Sequence, residues 1–96
     1  MDHAKFIYQI ETEFNYAMLN RIQQIFSRSR IPIQELQATL LNDKQRFVVA
    51  MEGNREYAHK LAKKIAGQVD VLMVTLYEEA SPGFRTELLD TKGGDP

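Results

Sequence analysis

The sequence predicts an α+β fold with the order β-α-β-β-α-β, the ferredoxin-like arrangement of two split strand-helix-strand units. Three observations point there. Two amphipathic helical stripes, each of about three turns, alternate with extended apolar stretches. The second and third of those stretches are separated only by Asn42, Asp43 and Lys44, a hairpin signal. The connections are too short for anything but direct returns. The usual form of this order is a four-stranded antiparallel sheet with both helices on one face, and that is the expectation.

The first strand is expected over Lys5 to Glu11, where Phe6, Tyr8 and Ile10 share one side and Ile7 takes the other. A helix over about Tyr16 to Arg28 follows. Met18, Leu19, Ile22, Ile25 and Phe26 recur on one face, with Asn20, Arg21, Gln23, Gln24, Ser27 and Arg28 between them. Asn15 is the candidate cap, its side chain able to accept from first-turn amides. Pro32 limits the far end, because Ile31 before it is biased toward extended angles. The second strand is expected over Ile31 to Leu41, with edge character from Pro32. Ile33 and Leu36 have opposite parity along it, so a bend or bulge must re-aim one of them.

Beyond the hairpin, Arg46 to Met51 reads as the third strand. Gly53 and Asn54 then break it, and Asn54 caps a helix over Arg55 to Ala66, with Glu56 in its first turn and Lys63 and Lys64 in its last. Tyr57, Ala58, Leu61, Ala62 and Ile65 form its apolar stripe. Gly67 is the expected left-handed stop. The fourth strand, Val69 to Tyr77, is apolar on both parities and calls for a second cover. From Ala80 the composition turns to Ser, Pro, Gly, Thr, Lys and Asp. Residues 1–79 are therefore expected as the domain and 80–96 as a flexible tail in which only Phe84, Leu88 and Leu89 can dock.

Composition narrows the function. The 96 residues make one domain, and 12 basic against 13 acidic side chains leave no long-range attraction for nucleic acid or anionic lipid. The absence of cysteine removes disulfides, thiolate metal sites and thiol catalysis together. His3 and His59 have no companions at ligand spacing, so no metal or cofactor is expected, and the acidic residues form no acid-base or acyl-transfer pattern. An RNA-recognition domain shares the strand order, but its third strand carries stacking aromatics with a glycine, whereas KQRFVVAM has one aromatic and none. No apolar run reaches the roughly 18 to 20 residues of a membrane span. The start of the chain also lacks a signal-peptide pattern. A soluble cytoplasmic protein is expected.

Leu19, Arg21, Ile22, Phe26, Ser27, Arg28, Ile33 and Leu36 form one run, and Val69, Asp70, Val71 and Val74 a second. Together they resemble the ACT domain of acetolactate synthase regulatory (small) subunits, over roughly Ala4 to Glu79. The resemblance implies a non-catalytic subunit that forms a homodimer, pairs sheets edge to edge through the second strand and modulates a large thiamine-diphosphate-dependent catalytic subunit. It also implies a branched-chain amino acid effector, held between the loop before the first helix and the start of the partner's second strand. By position those residues are Phe14, Asn15, Tyr16, Ala17 and Met18, with Ile31, Pro32 and Ile33. The family's Pro-Gly pair in the loop is Tyr16-Ala17 here, and its asparagine at the start of the strand is Pro32. The short single-domain subunits that do not respond to valine resemble this version better, which implies a reduced effector site. The alternative is a free-standing ACT-like dimer that binds an amino acid or another small carboxylate, its copies paired by sheet edge or by sheet face.

Overall fold

Phe6, Tyr8 and Ile10 are fully buried on one side of the central strand, and their alternation decides which sheet face is dry. The computed structural model describes residues 3–93. They form β1 (His3–Glu13), α1 (Met18–Arg28), β2 (Glu35–Leu41), β3 (Lys44–Asn54), α2 (Arg55–Ala66), β4 (Val71–Ser81) and β5 (Phe84–Lys92). Every pairing is antiparallel, in the order β2-β3-β1-β4-β5.

Both helices lie on one face, as expected. Met18, Ile22, Ile25 and Phe26 from α1, with Ala58, Leu61, Ala62 and Ile65 from α2, join the β1 residues, Phe47, Val49 and Met51 in a single core. Tyr8 is its largest fully buried side chain, meeting Phe26 edge-on at 5.3 Å and donating its hydroxyl to the Ala58 carbonyl at 3.0 Å. Burial pushes that phenol's pKa up, so it stays a neutral donor.

The sheet has five strands, not four. Residues 84–92, expected within the flexible tail, pair with β4 in a register that sets Leu89 across from Leu76. Two features explain the strand. Leu88 and Leu89 pack against the core, giving the segment apolar surface to bury. Ser81-Pro82-Gly83-Phe84 closes a two-residue turn in which Gly83 holds φ +87°, the pattern of a type II turn with proline first and glycine second. The tail's last three positions, 94–96, lie outside the described residues, as do the domain's first two.

Several local expectations shift. β2 begins at Glu35, and the Ile31–Gln34 stretch is a bend that lets Ile33 and Leu36 reach the same core despite their parity. Helix α1 starts at Met18 with Ala17, not Asn15, at its N-cap. Leu19 is half exposed rather than part of the buried stripe. Gly67 has φ −80°, and the left-handed residue is Asp70 at φ 72°, three positions later; Val69 therefore stands in a loop, 73% exposed, instead of opening β4. Asn54 caps α2 as expected, accepting from the Tyr57 amide at 3.1 Å.

The face away from the helices carries Lys5, Ile7, Gln9 and Glu11 of β1, flanked by Ala50, Val48 and Arg46 of β3. Ile7 and Ala50 are nonetheless almost fully buried, at the base of a shallow depression flanked by Glu35, Gln37 and Arg85. No described helix is long and apolar enough to cross a membrane.

Candidate functional site

The loop of Phe14 to Ala17 hangs from two separate parts of the chain. The Phe14 amide donates to the Asp43 carbonyl at 3.0 Å and the Asn15 amide to the Gln45 side chain at 3.3 Å, both at the β2–β3 hairpin. Glu13 donates to the Asp70 carbonyl at 2.8 Å, ahead of β4. Asn15 then links both sides of the loop. Its side-chain nitrogen donates to an Asp70 carboxylate oxygen at 3.0 Å, and its oxygen accepts from the Ala17 amide at 2.8 Å. That is a short side-chain-to-backbone turn preceding the helix, in place of the helix cap expected of Asn15.

Ala17 offers no side chain to the first turn of α1, so among the described residues the Leu19 and Asn20 amides have no protein acceptor. These amides and the helix dipole favour a negative group. The Asp70 carboxylate beside Asn15 supplies the opposite preference a short distance away. Tyr16 projects into solvent at 91% exposure and stacks edge-on against Phe14 at 4.8 Å. With half-exposed Leu19, exposed Val69 and exposed Leu40 and Leu41, this end of the sheet is rich in uncovered apolar groups. Arg21, expected on a solvated face, donates to the Val69 carbonyl at 3.1 Å and closes the ring. Met18 is fully buried and belongs to the core, beneath the loop.

The other expected flank lies elsewhere. Ile31 is buried, its amide bonded to the Phe26 carbonyl at 3.0 Å; Ile33 packs on the core and Pro32 is exposed. These residues follow the C-terminal end of α1, whereas the loop precedes its start. The 11 residues of the helix separate the two by about 16 Å. Within one chain the flanks do not meet. Asp70 joins the candidate site without a signal in the sequence: it stands within an apolar strand run, and nothing local marks it as the loop's anchor.

No group of three or more potential metal-ligating side chains occurs among the described residues. Strand order and the two helices on one face define an α+β domain of ACT-like fold. The chain resembles the ACT domain from GTP pyrophosphokinase of Chlorobium tepidum, with a TM-score of 0.68 and 16% identity over 84% of this chain and 91% of that one. It also resembles the C-terminal domain of the MgtC protein from Mycobacterium tuberculosis, with a TM-score of 0.65 and 13% identity over 81% and 89%. At such identities the likeness is one of fold. No family model matches the sequence, and no curated protein does.

Proposed function

We propose that the chain is a non-catalytic regulatory module of the ACT type, working as a homodimer paired through β2. One observation carries this reading. β2 is an edge strand of seven residues with no charge after Glu35, no proline and no bulge, and it ends in exposed Leu40 and Leu41 beside the loop. Such an edge presents a row of unpaired amides and carbonyls that proteins ordinarily blunt. Antiparallel pairing of β2 with its own copy about the midpoint, Ala38, sets Glu35 of one chain across from Leu41 of the other. The Ile31–Ile33 flank of one copy then approaches the Phe14–Ala17 loop of the second, and a shared pocket forms twice.

The ligand class that suits this pocket is a small amino acid or related carboxylate. Its carboxylate would take the Leu19 and Asn20 amides, and an ammonium group would face Asp70. A thermal-shift panel of amino acids tests this. A ligand at a hundredfold excess over Kd stabilises by about 2.7 kcal/mol, a rise of about 10 °C or more for a domain of this size. No shift with any of them ends the ligand reading.

The regulated enzyme is proposed from the Leu19–Leu36 resemblance: a large catalytic subunit of the acetolactate synthase type. Phe26 is accounted for by the core, whereas Ser27 and Arg28 are exposed, with side chains bonded to no described residue. Packing gives no reason for them; a partner surface does. Co-purification with such a subunit, lost in Arg28→Glu, is the expected result; no association with the unmodified chain refutes it. For the dimer, Ala38→Glu sets like charges against each other across the pairing axis. Light scattering is expected to report a dimer that becomes a folded monomer, and a monomeric unmodified chain at micromolar concentration contradicts the proposal.

A further inference from the structure

On the face away from the helices, four charged side chains form a chain of contacts running from one sheet edge to the other. Glu35 on β2 lies 3.6 Å from the Lys5 ammonium on β1, Lys5 lies 3.4 Å from Glu79 on β4, and Glu79 lies 3.6 Å from Arg85 on β5. Below them is a shallow cavity of about 100 Å³, with Ile7, Val48 and Ala50 as its apolar base and Glu35, Gln37 and Arg85 around it. Residues from strands at opposite sheet edges line one small cavity, so the sheet curls around this face.

The chemistry of the lining is specific. The Arg85 terminal nitrogens, the second Glu35 oxygen and the Gln37 amide have no protein hydrogen-bond partner among the described residues. Two acidic and two basic side chains make the set neutral, so neither an anion nor a cation alone is favoured. A molecule bearing both signs is. The geometry points to a second ligand site here for a small zwitterionic α-amino acid, its carboxylate on Arg85, its ammonium on Glu35 and a short apolar side chain on Ile7, Val48 and Ala50. Size sets the limit: a 150 Å³ cavity holds a six-membered aromatic ring, so about 100 Å³ encloses about four heavy atoms, and alanine is accommodated with its charged end at the open mouth of this shallow cavity.

This site is separate from the Phe14–Ala17 loop and does not depend on dimer formation. The test titrates the ¹⁵N-labelled chain with L-alanine, and with propionate and methylammonium, each of which lacks one charge. Saturable shifts at Ile7, Val48, Ala50 and Arg85 are expected with alanine, with both half-molecules binding at least about tenfold more weakly. Arg85→Gln and Glu35→Gln should each weaken alanine about tenfold while leaving distant resonances in place, since both side chains are largely exposed and their ion pairs hold little of the fold. Any of these results overturns the proposal: no saturable change at millimolar alanine, propionate binding as well as alanine, or alanine binding unchanged in both variants. Shifts confined to Phe14–Leu19 overturn it as well, and would support the loop site instead.

Discussion

Replacing Gly83 by L-alanine and by D-alanine isolates the turn that brings the fifth strand back onto the sheet. Gly83 holds φ +87°, and an added Cβ there meets nothing within 4 Å, so any effect is conformational rather than a collision. For an L residue that region costs about 1–2 kcal/mol. Restricting the unfolded chain returns about 0.4–1 kcal/mol in either enantiomer. The L-alanine chain should therefore be about 1 kcal/mol less stable, a fall in Tm of about 4–8 °C, while the D-alanine chain, at ease with positive φ, gains about 0.4–1 kcal/mol. The two variants have the same composition and opposite predicted signs. Both can be made by chemical ligation and followed by circular dichroism during heating. If L-alanine is neutral and D-alanine destabilises, the turn is not the one described and the pairing of β5 needs another cause.

Four other outcomes are expected. Stability should fall as pH rises above about 10: the unfolded chain releases the Tyr8 proton near that ordinary value, while the folded chain holds it to higher pH, so the contribution is complete below about 10 and lost above it. Tyr8→Phe should lose about 1 kcal/mol at neutral pH and flatten that alkaline decline, both measurable by urea unfolding. Asp70→Ala should cost about 2 kcal/mol through its left-handed backbone and its bond to Asn15, and Asp70→Gly less, with amide exchange at residues 15–17 accelerated in both. Asn54→Ala should cost about 1 kcal/mol in thermal unfolding, with the Tyr57 amide losing its acceptor.

How far the fold could be read from the chain varied with the range of the interactions involved. The bounds and cap of helix α2 are legible because cap, charges and most of the apolar stripe lie within a dozen residues, although Tyr57, expected in that stripe, is 44% exposed. The hairpin at Asn42 was equally plain, and Asn42 indeed adopts φ 60°. β5 is hidden from composition, because Ser-Pro-Gly reads as tail-like by content, although the same letters in that order specify a turn. Its segment, FRTELLDTK, also fails to alternate, since a register shift sits next to Leu88 and Leu89. Residue type favours Gly67 for the left-handed position, yet the helix ends there with ordinary angles and Asp70 makes the turn. At the candidate site, the loop is an expectation of family likeness, while its anchor is Asp70, 55 residues along the chain from Asn15. No periodicity spans that distance. The second flank was identified by the same likeness, but only the length of α1 reveals that one chain cannot bring the two together.

The fifth strand also bears on how large an assembly of this sheet can become. A four-stranded version would leave β4, with Val71, Leu72, Met73, Val74 and Leu76, as a bare edge opposite the equally receptive β2. Two adhesive edges on one particle permit head-to-tail growth without end, the geometry of a fibre. β5 occupies that position with two register shifts and an outer row that includes Arg85, Glu87, Asp90 and Lys92. With that edge blunted by charge and bulges, pairing through β2, as proposed, would stop at two copies. Removing a segment that resembles a dispensable tail should therefore convert a bounded particle into a polymerising one.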